Sequence, residues 1–78
     1  MESEYVPLAF LTPGERGEIV EIRGGIGIIK RLHEMGFVPS AFIEVLTSHA
    51  RGPLLVGING TRIAIGRGIG MKIIVRRN

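Results

Sequence analysis

Hydrophobic and polar residues alternate in short runs along most of this chain, and in one stretch the apolar positions fall three and four apart instead. Alternation marks strands, because successive strand side chains point to opposite faces. Such runs are Gly17 to Ile22, Phe42 to Thr47, Leu54 to Ile58, Thr61 to Ile65 and Lys72 to Arg76. In the first, Val20 and Ile22 are expected on one face. In the others, Ile43/Val45, Leu54/Val56/Ile58, Ile63/Ile65 and Ile73/Val75 form an inward face. The exception is Ile28, Ile29, Leu32 and Met35, with Lys30, Arg31, His33 and Glu34 on the other side. That spacing predicts a helix over Ile26 to Met35. Gly36 stands where a left-handed cap belongs, and Pro39 prevents continuation.

Turn signals separate these runs. An apolar lead-in, Tyr5 to Leu11, ends at Pro13-Gly14, and Gly24-Gly25 closes the first strand. Asn59-Gly60 predicts a type I′ hairpin, because both central residues of that turn need positive φ. The link Gly66 to Gly70 leads to the last strand. About five short strands with tight turns, and one short helix inserted after the first strand, predict an all-β fold: a small, strongly bent barrel. The second face of the strands is more apolar than expected, holding Phe42, Leu46, Leu55, Ala64 and Ile74. The helix and lead-in are expected to cover part of it, and any remainder marks an interaction surface.

Seventy-eight residues make one domain, expected over 1–78 with its core at about 7–76. With three Phe, one Tyr and no Trp, that core is built from Ile, Val and Leu. There is no cysteine, which excludes disulfides and thiolate metal sites and fits a reducing cytosol. No apolar run approaches the roughly 20 residues that span a bilayer, and the acidic start Met1-Glu2-Ser3-Glu4 is unlike a secretory signal. The net charge of +3 hides an asymmetry. Residues 1–44 carry seven Glu against four cations, whereas residues 45–78 carry six cations and no acid. A basic half invites an anionic partner, unless its arginines are simply solvated.

Reactive constellations are poor. A Ser48, His49 and Glu44 arrangement would need three roles at one strand end, where neighbouring side chains point apart, so no active site is expected. Only His33 and His49, with Glu34 and Glu44, could ligate metal, too few for a site within one chain, and neither a metal nor another cofactor is expected. A site shared between subunits of a homo-oligomer stays open. Gly25-Ile26-Gly27 lacks the third glycine of a dinucleotide loop, because Lys30 occupies it. Gly66 to Lys72 lacks the spacing of a phosphate loop. Pro13-Gly14, Gly17 to Ile22 and Gly24 to Gly27 resemble the KOW element of ribosomal and transcription proteins. With the basic half, that keeps an RNA-binding module as the alternative, though nucleic acid is disfavoured by the scarcity of aromatics for stacking.

The chain as a whole resembles the FeoA family, the small cytosolic component of bacterial ferrous-iron uptake. The resemblance rests on Pro7-Leu8 to Leu11, Pro13-Gly14-Glu15, Gly17 to Ile22, Lys30-Arg31-Leu32-His33-Glu34-Met35-Gly36-Phe37 and Pro39. It continues through Gly52-Pro53-Leu54, Arg62 to Gly66 and Ile73-Ile74-Val75. Its most specific stretch is Arg31-Leu32-x-x-Met35-Gly36-Phe37-x-Pro39. It implies an SH3-like barrel and a cytoplasmic accessory role toward FeoB, a membrane iron transporter with a GTPase domain. On that view Leu32 and Met35 seat the helix, while Lys30, Arg31, His33 and Glu34, with Phe37, form the partner-binding side. The same module is similar to the C-terminal domain of DtxR-type regulators, a role disfavoured because no DNA-binding region precedes it. Two departures bear on geometry. Ser40 stands where the family often has Gly, and Gly66 to Gly70 is unusually glycine-rich, leaving room for a turn looser than the family's short helical one.

Overall fold

Each alternating run becomes a strand, and the run with helical spacing becomes a helix. The computed structural model describes residues 4–77, so the start Met1 to Ser3 lies outside the described residues. The elements are β1 (Glu4–Pro7), a 3-10 turn (Leu8–Phe10), β2 (Arg16–Ile22), α1 (Ile26–Glu34) and β3 (Phe42–Ser48). They continue with β4 (Leu54–Ile58), β5 (Thr61–Ile65), α2 (Arg67–Gly70) and β6 (Ile73–Arg77). One antiparallel sheet runs β1-β6-β2-β3-β4-β5. Its inward residues Ile43, Val45, Leu54, Val56, Ile73 and Val75 pack with Leu8, Leu11, Leu32 and Phe37 in a single apolar cluster. This is the all-β, SH3-like architecture expected, with α1 packed on the core through Leu32, Ile28 and Ile29.

The lead-in contributes more than its length promised. Glu4 to Pro7 forms a sixth strand on β6, pairing Glu4 with Arg77 and Val6 with Val75. The helix therefore follows the second strand rather than the first. Four residues with two exposed positions carry too little alternation to read as a strand; pairing with β6 creates it.

Strand β2 corrects a second expectation. Its register against β6 shifts between Ile19 and Glu21. The extra residue breaks the two-residue period, so Ile19 and Ile22 are buried and Val20 is only half-buried. A second shift, between Val45 and Thr47 of β3, leaves the inward residues Ile43 and Val45 in place. The second face comes out mixed: Ile74 is buried, Leu46 and Leu55 are half-buried, and Phe42 and Ala64 are exposed.

The glycine-rich link is not loose. Gly66 caps α2, whose amides at Gly70 and Met71 donate to the carbonyls of Gly66 and Arg67 at 3.0 Å. A Cβ on Gly70 would come within 2.6 Å of Leu54 Cδ1 and 3.3 Å of Ala9 Cβ, so only glycine lets this turn lie on the core. Asn59 and Gly60 adopt φ of 53° and 75°, as the hairpin requires. Ser40 takes φ of 77° in the turn before β3, a left-handed conformation that costs an L residue about 1–2 kcal/mol.

Candidate functional site

The specific stretch Arg31 to Pro39 is explained first by how α1 ends. Phe37 N–H donates to the Leu32 carbonyl at 2.9 Å and Gly36 N–H to the His33 carbonyl at 3.0 Å. This is the Schellman arrangement, with Gly36 in the left-handed conformation at φ of 95°. The motif brings Leu32 and Phe37 together, and both are buried in the core. Phe37 is fully buried, so its placement among the partner-facing residues is corrected: as the residue closing the helix it is drawn inward. Met35 is corrected too. It is the C-cap, 40% exposed, and seats the helix far less than Leu32 does.

The outward side of α1 is continuous. Lys30, His33 and Glu34 share a hollow of 490 Å³ with Ile26 and Ile29, positions that follow one another along a single helix face. Ile26 is 88% exposed, an unusual place for isoleucine, and neither Ile26 nor this hollow is signalled by the core spacing. Lys30 and Glu34 are four residues apart in the less favourable order, cation first, and form no ion pair among the described residues. Both charges stay available. Arg31 turns the other way. It lines a separate groove of 230 Å³ with Ile28, Leu32, Met35, Ala64 and Ile69, between α1, β5 and α2. Four of the five predicted partner residues are thus exposed, on two sides of one helix.

Folding engages three of the six cations in the basic half, two of them with carboxylates. Arg76 pairs with Glu18. Arg77 reaches Glu4 at 2.5 Å and Glu15 at 3.2 Å, tying β1 and the Thr12–Glu15 turn to the last strand. Arg67 donates to Ser48 Oγ at 2.9 Å, to the His49 carbonyl and to the Ala9 carbonyl at 3.5 Å, so it staples α2 to the end of β3 and to the 3-10 turn. Glu15 accepts from Thr12 N–H at 2.7 Å and Thr12 Oγ1 at 3.0 Å. Those bonds, chiefly the backbone one, and the nearby Arg77 hold its carboxyl below the usual 4.5. Among the described residues His33, His49, Glu34 and Glu44 do not come together in a group of three or more metal-ligating side chains.

Fold and surface together define a small SH3-like barrel whose helix carries an exposed face of mixed charge. The chain belongs to the FeoA family: the FeoA domain model matches residues 6–77. A Methanocaldococcus jannaschii protein with the provisional name Fe(2+) transport protein A is 39% identical over 69 residues, covering 88% of this chain and 83% of that one. A crystal structure of an iron uptake regulatory protein, FeoA, superposes with a TM-score of 0.89 at 41% identity, covering 94% of this chain and 97% of the other. A zinc-complexed FeoA of Stenotrophomonas maltophilia, described as an SH3 domain protein, gives 0.76 at 23% identity over 87% and 86%, a likeness of fold.

Proposed function

We propose that this chain is an accessory protein of ferrous-iron uptake that docks on the cytoplasmic, GTPase-containing part of a FeoB-type transporter. Family membership supports the iron-transport role. The observation that carries the docking is the outer stripe of α1, where exposed Ile26 stands beside Lys30, His33 and Glu34 and the protein's own fold covers none of them. An apolar residue ringed by unpaired charges of both signs suits a folded protein partner better than a polyanion. The role asks for recognition without catalysis, cofactor or membrane span, at the cytoplasmic side of the bilayer. Among the described residues no helix is long and apolar enough to cross a membrane.

The alternative, an RNA-binding module, draws on the basic half. Of its six cations, Arg76 and Arg77 are engaged by carboxylates and Arg67 by backbone carbonyls and Ser48. That leaves Arg51, Arg62 and Lys72, too few for a continuous phosphate track.

The test is retention of the folded chain by the transporter's soluble cytoplasmic domain, across nucleotide states and with and without ferrous iron. Wild type should be retained and Lys30→Glu should lose most of the binding, while its stability stays within about 0.5 kcal/mol. Failure of wild type to bind in every state, or tight RNA binding that weakens steeply with salt, would overturn the reading.

A further inference from the structure

The outer face of the sheet has its own pattern. The ladders place Tyr5, Arg76, Glu18 and Phe42 in one row across β1, β6, β2 and β3. The next row on the same face is Arg16, Glu44, Gly57 and Arg62, across β2, β3, β4 and β5. Tyr5 is 62% exposed and Phe42 is 67% exposed, although each lies within a strand. Arg76 and Glu18 satisfy each other between the two aromatics. In the second row Arg16, Glu44 and Arg62 have no ion-pair partner among the described residues. Gly57 leaves a notch between Glu44 and Arg62, floored by Leu46 Cδ1 at 3.6 Å from where a Cβ would be. Two hollows, of 340 and 480 Å³, meet at Arg16 and Phe42.

We propose that this face is the contact between two copies of the chain, related by a two-fold axis. Tyr, Phe and Arg are the residues enriched at the centres of protein interfaces. Three arginines face outward against two glutamates, so the patch is close to neutral and offers a polyanion little. Its charges alternate along the second row as cation, carboxylate, notch, cation. A two-fold operation sets a face against itself, and a face carrying both signs can then lay its own Glu44 against an arginine of the other copy. The patch holds two exposed aromatics and five charged residues, which suits an interface at the small end of the specific range. The dimer is therefore weak and reversible, seen only as concentration rises. It uses a face different from the α1 stripe and stands or falls without the transporter.

Sedimentation equilibrium of the whole chain, from low micromolar to about millimolar, tests it. Wild type should pass from monomer to dimer mass, and Phe42→Ala should raise the midpoint about tenfold. Two charge variants make the test specific. Arg16→Glu/Arg62→Glu gives an acidic face and Glu44→Arg a basic one, so each alone should stay monomeric while their equimolar mixture dimerises. Neither variant restores the neighbouring pair within its own chain, so recovery in the mixture reports contact between chains. Circular dichroism checks the fold of each variant, and the exposed Phe42→Ala carries the test if a charge variant does not fold. A wild type that stays monomeric, self-association unchanged by Phe42→Ala, or a mixture of folded variants no heavier than its components would overturn the proposal. Binding of single-stranded RNA through Phe42 and Arg16 by a monomeric chain would assign the face to that partner instead.

Discussion

Helix α1 has two sides with opposite economies. Toward the barrel, Leu32 and Phe37 are almost wholly buried and joined by the Schellman bonds that end the helix. Away from it, Ile26 lies open beside Lys30, His33 and Glu34. Residues two positions apart, Lys30 and Leu32, therefore answer to different demands: one to whatever meets the surface, the other to packing. Within the family's most specific stretch, Leu32, Gly36 and Phe37 close the helix onto the core, because a nine-residue helix is marginal alone and must be anchored at its end. A motif can be diagnostic of a family and still be architectural.

Changes on the packed side should have the largest effects. Phe37→Ala should cost about 3–5 kcal/mol and unfold much of the population, measured by chemical denaturation. Gly36→Ala should cost about 1–2 kcal/mol, since the left-handed backbone is retained and the added Cβ would push on the Asn59 side chain, 2.5 Å away. Ser40→Gly should move stability upward by up to about 1 kcal/mol, relieving the left-handed serine at the turn beyond the helix; no gain would show that this conformation carries no strain. Glu15→Gln should have a smaller, pH-dependent effect. The native carboxyl is held below its usual value, so its contribution is present above about pH 4.5 and fades as pH falls through the lowered value. The variant should be less stable than wild type at pH 7 and converge with it in acid. Smallest in stability is Lys30→Glu on the open side, within about 0.5 kcal/mol, yet it should alter partner retention most. A large loss of stability there would erase the distinction between the two sides.

The same contrast separates the charges. Arg76 and Arg77 lie in the stretch that looks most basic along the chain, and both are paired with glutamates from the acidic half. Arg16 and Arg62, which no local pattern distinguishes, remain unpaired among the described residues. Charge asymmetry along a chain predicts surface potential only where folding keeps the halves apart, and here β6 lies between β1 and β2.

Much of the fold was legible because its signals are local. Strands β3 to β6 follow from two-residue alternation, α1 from its apolar spacing and Gly36, and the β4–β5 hairpin from Asn59-Gly60, whose φ values need no distant contact. The exposed candidates Lys30, Arg31, His33 and Glu34 followed from the same helical spacing. Other features depended on partners far along the chain. Strand β1 exists because β6 accepts it, the bulge in β2 arises in its register against β6, and Phe37 turns inward because Leu32 and the barrel floor are there to receive it. The row joining Tyr5 to Phe42 draws on four strands at once. Periodicity and turn chemistry are written in neighbouring residues, so the chain alone determined its elements. Which face stays bare, and which charges stay unpaired, is a sum over long-range contacts, and only the folded barrel decided it.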